Sequence, residues 1–200
     1  MPATSLLTSK TAIITGGTTG IGRAITLAFL AQGCSVAVNH LDLPRDRSHV
    51  DSLIAEAAAL KESSLPPGGQ SQTTIGDLAL LAGDVRDPAT GPALVKFALD
   101  TFQTGRLDIC VSNAGICQFA DFLDMDGDLF ANTVRTNLDG AFYVVQAAAR
   151  QMARGQTPPG GSIIGISSIS ALVGGAGQTH YTPTKAGVLS LMQSTACALG

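Results

Sequence analysis

Short apolar runs that end at glycine or a polar residue alternate along the chain with stretches of helical periodicity. The runs at 11–15, 35–39, 78–83, 107–112 and 162–167 are predicted strands. The predicted helices are 20–32, 46–61, 88–102 (with Pro88 in its first turn), 126–152 (with a break near Asn137) and 182–199. Strands that are apolar throughout are typical of a parallel sheet buried on both faces. The alternation therefore predicts an α/β fold, a doubly wound parallel sheet with helices on both faces.

The strand and helix rhythm runs through the whole chain, so we expect residues 1–200 to form a single domain. The Pro-, Gly- and Ser-rich segment at about 63–77 breaks the rhythm and is interpreted as an exposed insertion loop. The sequence stops directly after a predicted helix. A parallel sheet that ended there would leave its last strand uncovered, so we expect the last strand or strands to be missing.

Composition excludes several classes of protein. Hydrophobic residues make up 45% and charged residues 14% of the chain, which excludes intrinsic disorder. A net charge of −3 argues against a nucleic-acid partner, and no apolar run approaches the length of a membrane helix. The four cysteines and three histidines show no metal-ligand spacing, so no metal is expected. Reduced thiols and the absence of a signal-peptide pattern favour a cytoplasmic location.

A glycine-rich turn lies between the first predicted strand and the first predicted helix. Its glycines at 16, 20 and 22 permit a tight turn and a close approach of the backbone to a ligand. The helix that follows directs its free N–H groups and the positive end of its dipole at that ligand, for which a pyrophosphate is suited. The candidate cofactor-binding residues of this turn are Gly16, Thr18, Thr19, Gly20, Ile21 and Gly22.

Tyr181 and Lys185 stand four positions apart at the start of the last predicted helix. Residues at this spacing lie on one helix face, so the ammonium group can approach the phenol and favour the phenolate. Such a tyrosine can give or take a proton near neutral pH. Ser168, at the end of the fifth predicted strand, could donate a hydrogen bond to a substrate oxygen, and its neighbours Ser167 and Ser170 are rivals.

Taken in order, these motifs resemble the short-chain dehydrogenase/reductase family. The resemblance rests on the G-x-x-x-G-x-G turn, Ser112–Gly115, Thr136–Leu138 and Y-x-x-x-K, and it extends from about residue 10 to residue 200. It implies a Rossmann-like dinucleotide-binding fold and the chemistry of an oxidoreductase that uses NAD or NADP.

The same resemblance assigns roles to residues. Asn113, Ala114 and Gly115 would lie beside the cofactor, and Asp84 and Val85 would hold the adenine ring. Tyr181 would be the general acid/base, and Lys185 would favour the phenolate and bind the nicotinamide ribose. The family's spacing to Tyr181 selects Ser168 as the residue that orients the substrate oxygen, which leaves a structural role for Ser167. Asn137 would interrupt the long helix and link the proton relay to solvent.

Asn39 and His40 lie at the end of the second predicted strand, where NAD-preferring members carry an acidic residue at the position of His40. The absence of a carboxylate at His40 favours NADP over NAD. Arg45 or Arg47 could pair with a 2′-phosphate, whereas Asp42 could restore binding of NAD.

The Val-Asn-His-Leu segment and the loop after it resemble the sugar-oxidising branch of the family, and most of all the members that oxidise L-rhamnose to a lactone. The alternatives are a 3-oxoacyl thioester reductase and a dinucleotide-binding scaffold without turnover. His180, Cys117, Gln118 and Phe119 could line the substrate pocket, although an inert buried thiol is the favoured interpretation of Cys117. Family members are commonly homotetramers joined through the two long helices, so we expect a homo-oligomer.

Overall fold

A parallel sheet organises the computed structural model, which describes residues 5–63 and 74–200. The strands are β1 (Thr11–Thr15), β2 (Ser35–His40), β3 (Leu78–Ala82), β4 (Ile109–Ser112) and β5 (Ser162–Gly165). Over the described ranges they form a five-stranded sheet in the order β3-β2-β1-β4-β5, and each neighbouring pair is parallel. The strand order reverses between β1 and β4, so their carboxyl ends border the crevice where doubly wound folds bind ligands.

Helices cover both faces of this sheet. They are α1 (Gly20–Ala31), α2 (Arg47–Ser63), α3 (Thr90–Phe102), α4 (Gly127–Val134), α5 (Gly140–Arg154), α6 (Ser170–Val173) and α7 (Thr182–Leu199), with a short 3-10 helix at Pro44–Asp46. Helices α1 and α2 pack on one face, whereas α3 and α5 pack on the other. The predicted doubly wound α/β fold is thereby confirmed. Across the described ranges, no helix combines the length and the apolar character that a membrane crossing requires.

The core consists of two layers because successive side chains of a strand point to opposite faces. Ala12 and Ile14 of β1 pack with α1 and α2, whereas Ile13 between them packs with α3 and α5. All three side chains are fully buried, and complete burial of an isoleucine is worth about 2 kcal/mol. The sheet is thus stabilised from both sides at the strand that leads into the glycine turn.

The predicted break in the long helix is confirmed as a π-helical turn. Helix α4 passes into this turn at Arg135–Asp139, and α5 continues from Gly140. Asn137 lies in the middle of the turn and is 1% exposed. Short π-helical turns inside α-helices often occur at functional sites, because the extra residue changes the direction of the side chains.

One expectation about the helices was wrong, and one helix was not expected. Pro88 lies before α3 and not in its first turn, because the Asp87 carboxylate accepts a hydrogen bond from Ala89 N at 2.8 Å and the Asp87 carbonyl accepts one from Thr90 N at 3.0 Å. These bonds form a separate turn ahead of the helix. Helix α6 was not predicted, because four residues are too few to show a helical period.

The predicted insertion loop at 63–77 mostly lies outside the described residues. Of its described ends, Ser63 is the last residue of α2 and Gly76 is buried against the Cys34 backbone. Gly76 N donates to Leu30 O at 2.9 Å, and Val36 N donates to Asp77 O at 2.8 Å. Backbone hydrogen bonds thus fix the end of this segment where it enters β3, and the exposed loop stays a prediction for the rest.

Candidate active site

The glycine turn forms an open cradle at the N-terminus of α1. Gly16 and Gly20 have φ of +62° and +53°, in the left-handed region that favours glycine. A Cβ at Gly22 would lie 2.3 Å from Gly16 O, so this position admits no side chain, whereas a Cβ at Gly20 would meet nothing within 4 Å. Thr19 precedes α1 without a side-chain cap, and Ile21 is 61% exposed. The first N–H groups of α1 therefore face open space, as a diphosphate site requires.

Arg23 holds this cradle against α2. Its guanidinium donates to Thr18 O at 3.2 Å and to His49 O at 3.0 Å, and it forms an ion pair with Glu56 at 3.0 Å. The Thr18 side chain is buried, so Thr18 shapes the turn from within. Sequence reasoning missed Arg23, although the only charged residue of α1 was a signal that could have identified it.

Asn113 joins the glycine turn to the end of β4. Its side-chain nitrogen donates to Thr15 O at 2.9 Å and to Gly16 O at 3.1 Å. In return, Thr15 Oγ1 accepts hydrogen bonds from Asn113 N at 3.1 Å and Ala114 N at 3.0 Å. Thr15 was not among the predicted site residues, and its buried hydroxyl is what sets the conformation of the turn after β4.

Asn137 connects this turn to the start of α7. Its side-chain amide donates to Ile116 O at 2.9 Å and to Thr184 Oγ1 at 3.1 Å, and its oxygen accepts from Ile116 N at 2.8 Å. Thr184 Oγ1 in turn donates to Tyr181 O at 2.6 Å. Gly115 borders the same cluster, because a Cβ there would lie 3.3 Å from Lys185 Nζ. One buried amide therefore fixes the positions of two segments of the candidate site.

Tyr181 and Lys185 lie together one helical turn apart. Lys185 Nζ is 5.8 Å from the centre of the Tyr181 ring, within the range of a cation–π interaction, and donates to Ile166 O at 2.8 Å. The lysine is 5% exposed, whereas Tyr181 is partly exposed. Burial lowers the pKa of Lys185 from its ordinary value, and the electrostatic influence of the nearby Cys117 opposes that shift. The pair thus places an ammonium group behind an accessible phenol.

The three serines after β5 have different surroundings. Ser167 Oγ donates to Lys185 O at 2.8 Å, in keeping with the expected structural role. Ser168 Oγ lies 2.9 Å from Ser170 Oγ and accepts a hydrogen bond from Ser170 N at 3.2 Å. Ser170 is buried and Ser168 is partly exposed, so Ser168 is the more accessible member of the pair.

The residues predicted for the adenine side lie at the ends of β2 and β3. Asn39 is 2% exposed, and its side chain donates to Gly83 O at 2.8 Å, so it supports the sheet edge from inside. His40 Nδ1 accepts from Asp42 N at 3.1 Å. The Arg86 guanidinium bonds to Asp84 and holds the pKa of that carboxyl below its usual range.

Three other residues on this side have simple surroundings. Val85 is 6% exposed and packs against Gly140, which leaves its backbone as the part that can face a ligand. Arg45 is exposed, with its Nε 3.9 Å from Asp46, and Arg47 is also exposed. The Arg45 pair is long and Arg47 has no ion pair within the described residues, so either side chain can turn toward a phosphate.

The structure changes the interpretation of two candidate pocket residues. Cys117 is exposed, with its Sγ 3.5 Å from Gln178 Nε2, so the favoured interpretation as a buried thiol was wrong. The chain has left the sheet after Gly115, which brings Cys117, Gln118 and Phe119 to the surface. His180, by contrast, is fully buried and presents no surface to a pocket. Among the described residues, no group of three or more His, Cys, Asp or Glu side chains could hold a metal ion.

Comparison with known proteins identifies the family to which this chain belongs. The profile of the short chain dehydrogenases matches residues 10–200. The chain belongs to the short-chain dehydrogenase family, as its motifs predicted.

Its relatives include sugar dehydrogenases. An L-rhamnose-1-dehydrogenase of Scheffersomyces stipitis is 49% identical over 98% of this chain and 69% of its own length. An L-rhamnose 1-dehydrogenase (NAD(P)(+)) of a Sphingomonas species is also 49% identical, over 98% of this chain and 68% of its own length. A 3-oxoacyl-[acyl-carrier-protein] reductase of Staphylococcus aureus is 32% identical over 94% of this chain and 68% of its own length, so the sugar-oxidising interpretation is supported over the thioester one.

Solved structures agree with this assignment. The crystal structure of a short-chain type dehydrogenase/reductase from Mycobacterium marinum superposes with a TM-score of 0.80 at 30% identity. The match covers 98% of this chain and 71% of that one.

Proposed function

We propose that this chain is an NAD(P)-dependent dehydrogenase that oxidises the anomeric hydroxyl of L-rhamnose to the lactone. The observation that carries the proposal is the Tyr181–Lys185 pair at the carboxyl edge of the sheet. The buried Lys185 Nζ lies 5.8 Å from the centre of the partly exposed Tyr181 ring. The two relatives at 49% identity, both named for L-rhamnose, support the substrate. The name of one of them, which contains NAD(P)(+), supports the use of either dinucleotide.

The cradle at the start of α1 fits the diphosphate of a dinucleotide, because a side chain at Gly22 would collide with Gly16 O and the α1 N–H groups face open space. Beyond it, Asn113, Ala114 and Gly115 would border the nicotinamide half, and Asp84 and Val85 the adenine. When bound, the nicotinamide ring supplies the hydride acceptor for the oxidised carbon.

The residues of this chain move and hold the proton. The Tyr181 phenolate takes the proton of the anomeric hydroxyl while the hydrogen on the same carbon leaves as hydride, and the carbon becomes the carbonyl of the lactone. The Lys185 ammonium stabilises the phenolate and would bind the ribose of the cofactor. The Ser168 hydroxyl donates to the substrate oxygen and orients it. Asn137 holds the Tyr181 turn through Thr184. Its role as the link between the relay and solvent stays a prediction from the family resemblance.

Substitution of the two tyrosines of the chain tests this proposal. We expect Tyr181→Phe to lower kcat with L-rhamnose by about 10²–10⁴-fold, because it removes the general acid/base. Tyr143→Phe on α5 is the matched control, and its kcat should stay within about twofold of the wild type, since this side chain lies outside the relay. The assay follows NADH or NADPH absorbance with L-rhamnose and, separately, with an acetoacetyl thioester.

Each outcome of that assay has a consequence. Turnover that survives Tyr181→Phe rules out the proposed relay. Dinucleotide binding without turnover of any substrate would favour the scaffold without catalysis, and turnover of the thioester alone would favour the reductase alternative.

We further infer that NADP is preferred to NAD and that both are used. Support comes from His40, which stands where a carboxylate would repel the 2′-phosphate, and from the exposed Arg45 and Arg47 nearby. Asp42 lies two positions beyond His40 with φ of +57°, in the same loop. The ratio of kcat/KM for the two dinucleotides measures the preference directly.

We also infer a cytoplasmic homotetramer that associates through α5 and α7. Phe142 on α5 is 43% exposed and Leu189 on α7 is 37% exposed, which gives both long helices apolar surface to cover. The common assembly of the family supports the same arrangement. Light scattering after size exclusion measures the mass of the assembly.

A further inference from the structure

His180 is a buried residue whose two ring nitrogens lack hydrogen-bond partners among the described residues. The side chain is 0% exposed. A neutral imidazole offers one donor and one acceptor. Burial of such atoms without partners destabilises the folded state, whereas a phenylalanine of similar shape would avoid the penalty. We therefore expect the imidazole either to have a hydrogen-bond partner that the protein atoms do not supply or to serve a function.

The position of His180 connects it to the candidate relay. Thr182 N donates to Gln178 O at 2.9 Å, so residues 178–182 form a helical turn directly ahead of α7. His180 and Thr184 are thus one helical turn apart and lie on the same face. Thr184 is 1% exposed; its hydroxyl donates to Tyr181 O and accepts from Asn137 Nδ2. Among the described contacts, the second lone pair of that hydroxyl is unused.

The enclosure of the ring limits what its partner can be. A substrate or a second chain cannot reach a side chain with no exposed surface, whereas a water molecule can occupy an internal polar site and can both donate and accept. A water beside the ring could accept a hydrogen bond from the imidazole N–H and donate one to Thr184 Oγ1. The available groups therefore match the needs of one internal water.

We propose that His180 is a positioning residue for Tyr181 that acts by binding an internal water shared with Thr184. The water and the imidazole fix the Thr184 hydroxyl, which in turn fixes the Tyr181 carbonyl and the Asn137 amide. The Tyr181 hydroxyl is then held in the orientation that proton transfer needs. The kinetic part of this proposal rests on the proposed dehydrogenase function; the internal water does not.

The kinetic test compares substitutions that keep or remove the ring nitrogens. We expect His180→Phe to lower kcat with L-rhamnose about tenfold while KM for the dinucleotide changes less than about twofold, because Tyr181 is misplaced and the cradle is untouched. His180→Asn and His180→Gln keep a donor and an acceptor, so at least one should recover part of the lost kcat. His49→Phe on the exposed side of α2 is the matched control, with unchanged kcat, because Arg23 bonds to the backbone carbonyl of this residue, which the substitution keeps.

A second measurement does not depend on turnover. In the wild-type chain labelled with ¹⁵N-histidine, we expect one imidazole N–H proton that exchanges slowly, shows magnetisation transfer to a bound water and disappears in His180→Asn. If this signal is absent, or if His180→Phe has wild-type kcat and KM, the proposal is wrong. If the wild type lacks turnover, the proposed function fails, and the imidazole signal alone then decides between a bound water and simple packing. If His180→Phe does not fold, the same imidazole signal decides whether a water is bound to His180.

Discussion

Lys185 is a charged side chain that the fold removes almost completely from water. Its ammonium lies behind the Tyr181 ring and donates to the Ile166 carbonyl, and no carboxylate among the described residues forms an ion pair with it. Burial therefore dominates, and the pKa of Lys185 lies below its ordinary value. A lysine with a lowered pKa titrates closer to neutral pH than an exposed one, which suits a group that assists a proton transfer.

This burial has a testable effect on stability. Between the lowered pKa of Lys185 in the folded chain and the ordinary 10.5, the unfolded chain binds more protons than the folded one. The free energy of unfolding contributed by this group therefore rises with pH through that interval. We expect the difference in unfolding free energy between the wild type and Lys185→Met to grow in favour of the wild type as pH is raised from about 7 toward 10.

Urea unfolding at several pH values measures this difference, and Lys96→Met is the control. Lys96 is exposed on α3, where it pairs with Asp100 one turn away. Its contribution should stay almost constant over the same pH range. A wild-type advantage over Lys185→Met that is flat or falls with pH would contradict the assignment of burial as the dominant influence.

At the scale of elements, the glycine turn and the N-terminus of α1 together form the proposed diphosphate-binding site. The turn depends on Gly22, because a Cβ there would lie 2.3 Å from Gly16 O and 2.5 Å from Asn113 Nδ2. Either contact is far closer than packed atoms permit, so the turn or the helix would have to move. The α1 N–H groups would then no longer converge on the ligand.

We accordingly expect Gly22→Ala to weaken NADPH binding at least about tenfold and to destabilise the fold by about 1–3 kcal/mol. Gly127→Ala at the first position of α4 is the matched control, since a Cβ there meets nothing within 4 Å. It should leave binding unchanged and stabilise the chain by up to about 1 kcal/mol. Fluorescence titration and urea unfolding provide both values. Wild-type affinity in Gly22→Ala would show that the turn is not the diphosphate site.

The sequence predicted the fold correctly where an element is long enough to show a clear hydrophobic period. Strand β1 and helix α7 have the predicted bounds because an unbroken apolar run and an 18-residue helix both carry clear periods. The break at Asn137 was predicted from the family pattern, but its form, a π-helical turn, depends on packing against α7. The support given by Thr15 could not be predicted, because its hydrogen bonds join β1 to the turn after β4, which is far away in sequence.

At the scale of the whole molecule, the four free cysteines divide evenly between surface and interior. Cys34 packs in the layer with α1 and α2, and Cys110 packs in the layer with α3 and α5. Burial raises the pKa of each of these two thiols to about 12. Cys117 and Cys197 are exposed.

We therefore expect an aromatic disulfide reagent to modify two thiols of the native chain rapidly, because only an accessible thiolate reacts. The other two should react only when the fold opens. The Cys117→Ser variant serves as the control and should retain a single fast thiol. Mass spectrometry after timed labelling identifies the sites. Rapid modification of Cys34 or Cys110 would mean that the corresponding layer is open in the native state.

The hydrogen bonds from Asn113 to the glycine turn have a consequence for the energetics of the molecule. They connect neighbouring strands on the two sides of the point where the strand order reverses, at the place where a dinucleotide would sit. A ligand that orders this turn is therefore linked thermodynamically to the middle of the sheet, and its binding free energy raises the melting temperature of the chain as a whole.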